Sequence, residues 1–216
     1  MPRLKPDIQR ARREHILDAA ERCFARAGFH RTTMQDICKE AAVSPGALYL
    51  YFDSKEALIA GICERDRAEF AERLAQLADA PNFLEALERL GNQYFSEEPA
   101  YKRLICIEIG LESTRNPRVG EIYRSVDNFV LQGFQALFQR LKDEGRIAPV
   151  LEIPVLAQVF MTIGDGLFWR RAIDPGFDPA IALPATLGVL AGLLRPVAEP
   201  GQPQAQATAN TDGAMS

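Results

Sequence analysis

Tyr49 and Tyr51 stand two residues apart, with Gly46 and Ala47 before them and Lys55 after. Phenol hydroxyls and an ammonium bond phosphates, and small residues let a backbone approach base edges. This is the chemistry of nucleic-acid contact. Catalysis has less to draw on. His15 and His30 are the two histidines of the chain, both N-terminal, so the body has no His-based triad or His metal site. Glu108 and Glu112 imitate a helical-bundle metal pair, but no Glu-x-x-His accompanies them. The run GLESTRNP lacks the lysine of a phosphate loop, and GDG is too short for one. Cys23, Cys38, Cys63 and Cys106 lie too far apart for a CxxC zinc site. Three of them fall on apolar helix faces and read as free thiols in a reducing compartment. No enzyme activity, cofactor or metal is expected.

The elements that would carry the tyrosines are two short helices. Thr33 can cap the first, whose apolar positions Met34, Ile37, Cys38 and Ala41 recur at three- and four-residue intervals. Val43-Ser44 breaks that period, and Pro45 sits where a helix tolerates proline, at its first position. The second, Gly46–Tyr51, is expected to bury Leu48 and Phe52 and to turn Ala47, Tyr49, Leu50 and Tyr51 outward. Together they read as a helix-turn-helix over 33–52, its second helix sized for a DNA major groove.

The run from Arg13 to Ile62 resembles the DNA-binding domain of the TetR family of repressors. Matching positions include Ile16-Leu17-Asp18-Ala19-Ala20, Phe24, Gly28, Thr32-Thr33, Ile37, Ala41 and Val43-Ser44. They continue through Gly46, Leu48-Tyr49, Tyr51-Phe52 and Lys55-Glu56-Ala57-Leu58. The resemblance implies DNA contact from Arg31, Thr33, Ser44, Pro45, Gly46, Ala47, Tyr49, Leu50, Tyr51 and Lys55. Lys55 would take a phosphate. Leu50 departs from the polar or aromatic residue many relatives place there, which points to a thymine methyl or a sugar. The family further implies an inverted-repeat operator on double-stranded DNA, a homodimer, and release by a small-molecule effector, here unidentified.

Charge agrees once it is divided. The whole chain is −4, yet residues 1–55 carry ten Lys/Arg against seven acids, a net +3, which leaves −7 for the rest. A positive reader on a negative body orients itself on DNA. The chain is 47% hydrophobic, with no apolar stretch long enough for a membrane span. No apolar run follows the basic N-terminus, so no signal peptide is indicated and a cytoplasmic location is expected.

The chain reads as all-α: a three-helix DNA-binding domain over 8–55, then an effector-binding and dimerisation bundle over 56–196. The remaining expected helices start near Ser54, Asn82, Pro99, Pro117, Ile153, and Asp178 or Pro184. Residues 197–216 turn to Gly, Gln, Ala, Thr and Asn and read as a disordered tail. The helices at about 153–172 and 180–195 are apolar on more than one face, so they are either central to the body or paired with a second subunit. Family resemblance implies the pairing.

The sixth helix places Tyr101, Glu108 and Leu111 on one face, with Ile105, Ile109 and Glu112 beside it. An acid in an apolar stripe needs a partner, either a base such as Arg103, Arg115, Arg118 or Arg124, or a ligand. Asp165, between Gly164 and Gly166, poses the same choice. The aromatics Phe83, Tyr94, Phe95, Phe129, Phe134, Phe160, Phe168 and Trp169 either line a pocket or form ordinary core. The candidate effector residues are therefore Tyr101, Ile105, Glu108, Glu112, Phe129, Phe134, Asp165 and Phe168. The alternatives to an effector-released repressor are a ligand-independent architectural DNA-binding protein and a helical-bundle enzyme.

Overall fold

The structure, a computed structural model, describes residues 6–197. The expected tail over 197–216 lies outside them except for Val197. Among the described residues there is no strand, only an isolated bridge between Ile147 and Pro196.

The first four helices are set by their ends. Helix α1 (Pro6–Ala27) stops at Gly28, whose φ of +80° is the left-handed conformation that suits glycine. Helix α2 (Met34–Glu40) opens with a capping box: the Thr33 hydroxyl accepts from the Asp36 N–H while the Asp36 carboxylate accepts from Thr33. Ser44 caps α3 (Pro45–Tyr49) and Ser54 caps α4 (Lys55–Asp79), each accepting from a backbone N–H three residues on. The expected helix Gly46–Tyr51 therefore starts one residue earlier and ends two earlier. Its last turn tightens, with Tyr51 N–H donating to Leu48 C=O at 3.0 Å, so the chain can turn back at Phe52.

The body follows as α5 (Phe83–Asn92), α6 (Ala100–Ser113), α7 (Pro117–Asp143), α8 (Ile153–Ile173) and α9 (Pro179–Leu194). Asn82, Asn116 and Asp178 cap α5, α7 and α9. Helix α5 runs into a π-helical turn over Gln93–Glu97, which carries Tyr94 and Phe95. Of the two expected starts for α9, the one at Asp178 is adopted, and Pro184 is accommodated inside the helix. Gly133 of α7 lies so close to α4 that a Cβ there would meet Leu74 at 2.6 Å, which fixes the tight crossing of these helices.

Two cores result. The first joins α1 to α4 around Ile16, Leu17, Phe24, Ile37, Leu48, Phe52, Leu58 and Ile62. It also takes Ile105 and Ile109 from α6 and Val119 from α7. The second holds the body together around Leu77, Phe83, Leu87, Leu137, Phe138, Leu141, Leu156 and Leu194. The packing boundary thus runs along α4 and α6 instead of falling cleanly at residue 55. Buried Glu21 of α1, paired with Arg65 of α4 and 3.8 Å from Lys102 of α6, adds an ionic tie across the same junction.

Candidate nucleic-acid interface and body cavity

Leu48 is fully buried and anchors α3, so the other sides of this short helix are open. Tyr49 is 53% and Leu50 77% exposed, large side chains presented to solvent at a cost in apolar area. Gly46 has no atom within 4 Å of where a Cβ would sit, and Pro45 is exposed beside it. Ala47 and Tyr51 are half-buried; Tyr51 packs partly against the first core, which corrects the expectation that it turns fully outward. Thr33 and Ser44 are exposed but already engaged as helix caps. Arg31 is exposed and donates to the Ala27 carbonyl at 2.9 Å. Hydrogen bonds from the Thr33 hydroxyl, and then its N–H, hold the Asp36 carboxyl below its usual range.

Phe29, in the loop after α1, is gripped on every side. Its N–H donates to Glu108 of α6, its carbonyl accepts from the Lys55 ammonium, and that ammonium lies 4.2 Å from its ring centroid. His30 Nε2 lies 2.9 Å from Glu112, itself buried, and Asn116 donates to Glu56 at 2.9 Å. Glu108 and Glu112 therefore join the reading head to the body. The arginines expected as partners do not fill that role: Arg103 donates instead to the Glu98 carbonyl. Lys55, expected only at a phosphate, is one of the clamps.

A cavity of about 260 Å³ opens in the body, between α4, α5, α7, α8, α9 and the π-helical turn. Of the candidate effector residues, Phe134, Asp165 and Phe168 line it. Tyr101, Ile105, Glu108, Glu112 and Phe129 do not. Ile105 is buried in the first core, and Phe129 packs on Phe70 and under the Arg67 guanidinium. Glu108 and Glu112 meet Phe29 and His30 instead. Of the other aromatics expected either in a pocket or in ordinary core, Tyr94, Phe95 and Phe160 line the cavity, whereas Phe83 is buried in the second core and Trp169 is exposed. The rest of the wall includes Leu87, Leu90, Met161, Leu183 and Leu187, whose spacing is that of ordinary core and carries no sign of a pocket. Burial, and then the neighbouring Asp127, push the Asp165 carboxyl up. Burial likewise raises the Tyr94 phenol, whose ring centroid lies 4.3 Å from the Arg73 guanidinium.

The outer face of α8 and α9 is apolar and uncovered. Val155, Trp169, Ile173, Ile181 and Val189 are each about half exposed or more. Gly166, Gly188 and Gly192 of the two helices have no neighbouring atom within 4 Å of where a Cβ would sit. Leu190 points the other way, buried in the second core and lining the cavity. Cys23, Cys38 and Cys63 are buried free thiols, while Cys106 is exposed. Among the described residues no cluster of His, Cys, Asp and Glu has the makings of a metal site, and no helix is long and apolar enough to cross a membrane.

Residues 16–62 match the family model described as bacterial regulatory proteins, tetR family. Over 162 residues the chain is 32% identical to the HTH-type transcriptional regulator UidR of Escherichia coli strain K12, covering 72% of this chain and 79% of that one. The chain belongs to the TetR family. Among solved structures, Salmonella enterica GusR superposes with a TM-score of 0.72 at 29% identity, over 86% of this chain and 96% of that one. FadR of Bacillus subtilis, solved in complex with stearoyl-CoA, shares the fold at a TM-score of 0.69 and 21% identity, over 82% and 96% of the two chains. This TetR-family protein is accordingly a helix-turn-helix transcriptional regulator that binds DNA, with the α2–turn–α3 unit inside the matched segment.

Proposed function

We propose that this protein is a homodimeric repressor whose two α3 helices read an inverted repeat and whose body cavity takes a small, largely apolar effector. The observation that carries the reading is α3 itself. It is a short helix capped at Ser44, pinned by buried Leu48, with Tyr49 and Leu50 held out in solvent. Pro45, Gly46 and Ala47 would lie against base edges. Tyr49 and Tyr51 would reach phosphates or bases, and Leu50 a thymine methyl or sugar. Arg31 and Thr33 would approach the backbone. A lysine ammonium has three donors, so Lys55 can hold the Phe29 carbonyl and still reach a phosphate.

The uncovered α8/α9 face supports pairing with a second copy, since contiguous exposed apolar surface marks an interaction site. The clamp on Phe29 supports α6 as the route between the sites. An effector favouring a displaced α6 would shift the population toward a geometry in which the two recognition helices no longer fit successive major grooves. A protein of this fold, FadR, holds an acyl ligand, which supports an effector here.

The test is a thermal-shift screen followed by DNA titration with and without each hit. A true effector raises the melting temperature by mass action and lowers DNA affinity, and DNA must lower effector affinity by the same factor, about 5–150. Hits that stabilise the protein yet leave DNA affinity unchanged would favour the ligand-independent architectural reading.

A further inference from the structure

Most arginines of the body are neutralised by acids. Arg65, Arg73, Arg89, Arg140, Arg146 and Arg170 each pair with a carboxylate. Arg115 and Arg118 do not. Both are exposed, and among the described residues neither side chain makes a hydrogen bond or an ion pair.

Their position gives that charge a meaning. They flank Asn116, where α6 gives way to α7, and this junction is docked on the reading head. The Asn116 amide donates to Glu56 at 2.9 Å, and Glu56 directly follows Lys55. One turn earlier, Glu112 lies 2.9 Å from His30 in the loop after α1. Val119, next to Arg118, is fully buried in the first core. Against burial, the Glu56 carboxyl is held below its usual range by its own N–H, by Asn116, and by the charges of Arg118 and Lys55. One acid thus answers two cations. No acid pairs with exposed Arg31 or Arg115 among the described residues, and Arg31 directly follows His30. Arg31, Lys55, Arg115 and Arg118 therefore come from three separate stretches of chain and gather around one junction.

Uncompensated cations beside a DNA-contacting element fit one partner, the phosphate backbone, which accepts the guanidinium fork and is bound without regard to sequence. From this geometry we infer that the α6–α7 junction is a second DNA-contacting element, with Arg115 and Arg118 on backbone phosphates beside the one that Lys55 approaches. The inference rests on the reading of α3 and Lys55 as facing DNA and extends that interface into the body. The junction is then the exception in a body otherwise kept from DNA by its charge. It also gives the end of α6 a contact that exists only on DNA, so a displaced α6 loses phosphates directly as well as through the head.

The experiment measures binding of the full chain to a mixed-sequence duplex about three helical turns long, by fluorescence anisotropy, between about 50 and 200 mM salt. Arg115→Ala and Arg118→Ala should each lower the salt slope by about 1 per bound protomer, and together by about 2. The lysine pair, Arg115→Lys with Arg118→Lys, keeps the charges and should keep the slope. Arg89→Ala removes the same charge from α5, which packs in the second core, and should leave the slope as it is. Tyr49→Ala probes α3 separately and should weaken binding. An unchanged slope in the alanine pair, with Tyr49→Ala weakened, overturns the inference and leaves α3 as the reader. An equal fall in Arg89→Ala would trace the effect to net charge, and a slope lost in the lysine pair would trace it to packing of the turn; either overturns the inference. If neither Tyr49→Ala nor the alanine pair changes binding, the reading of α3 falls with it.

Discussion

Phe29 shows how one residue can set the position of a reading head. Its carbonyl and N–H are each bonded to a different element, Lys55 at the start of α4 and Glu108 of α6. Glu108→Ala would leave the buried Phe29 N–H unsatisfied, at about 1–3 kcal/mol, while Glu108→Gln keeps an acceptor and should retain most of the stability. Urea unfolding of the two variants checks this, and equal losses would remove the hydrogen bond as the cause. Lys55→Ala should weaken binding to all DNA sequences alike and lower the salt slope by about 1 per half-site. An unchanged slope would leave Lys55 as a clamp alone. Asp36 offers a check by pH. Its folded pKa is depressed by Thr33, so its contribution is complete above the ordinary aspartate value of about 3.9 and is lost as pH falls through the folded value. The melting temperature of the wild type should therefore fall more steeply below that pH than that of Asp36→Asn. The sequence made Glu108 and Glu112 legible as acids in need of partners. It hid the partners themselves, because one is a main-chain N–H in a distant loop and the other an exposed histidine that no periodicity connects to α6.

The helices were legible because their ends are chemical. Thr33 and Ser54 cap where their type and position say they should, and Asn82 and Asp178 cap the helices expected to start beside them. The π-helical turn after α5 has no such signature, since Gln93–Glu97 differs from a helical run only in how its hydrogen bonds register. Facing was harder to read than extent. Helix α9 is apolar all round, so sequence periodicity could not tell that Leu190 faces the cavity and its neighbour Val189 the open surface. This decides which substitution probes the interface. Leu190→Asp would place a charge in the second core and unfold the body. Val189→Asp should leave the fold intact and yield monomers with much weaker DNA binding, measurable by sedimentation and DNA titration. A Val189→Asp protein that stays dimeric would move the interface off this face. The same ambiguity explains the effector residues: of the aromatic and acidic candidates, Phe134, Asp165 and Phe168 on α7 and α8 line the cavity, while Glu108 and Glu112 on α6 reach the reading head.

At the scale of the molecule, the division of charge and the shared core act together. Residues 1–55 are net positive and the rest net negative, so the first three helices are drawn to DNA and the body is kept from it. Because Ile105, Ile109 and Val119 of the body complete the core of the reading head, the two parts cannot move wholly independently. Helix α4 spans both parts, lining the cavity at Phe70 and packing in the first core at Leu58 and Ile62. Two heads on one dimer demand two matching half-sites, and their separation is fixed by the protein. The most direct test is selection of bound duplexes from a random-sequence DNA pool with the full chain, followed by footprinting of the enriched sequence. The expected result is an inverted repeat, protected symmetrically, with half-site centres one helical turn of about 34–36 Å, or a small multiple of it, apart. Enrichment of no sequence, or protection of a single unrepeated site, would contradict it.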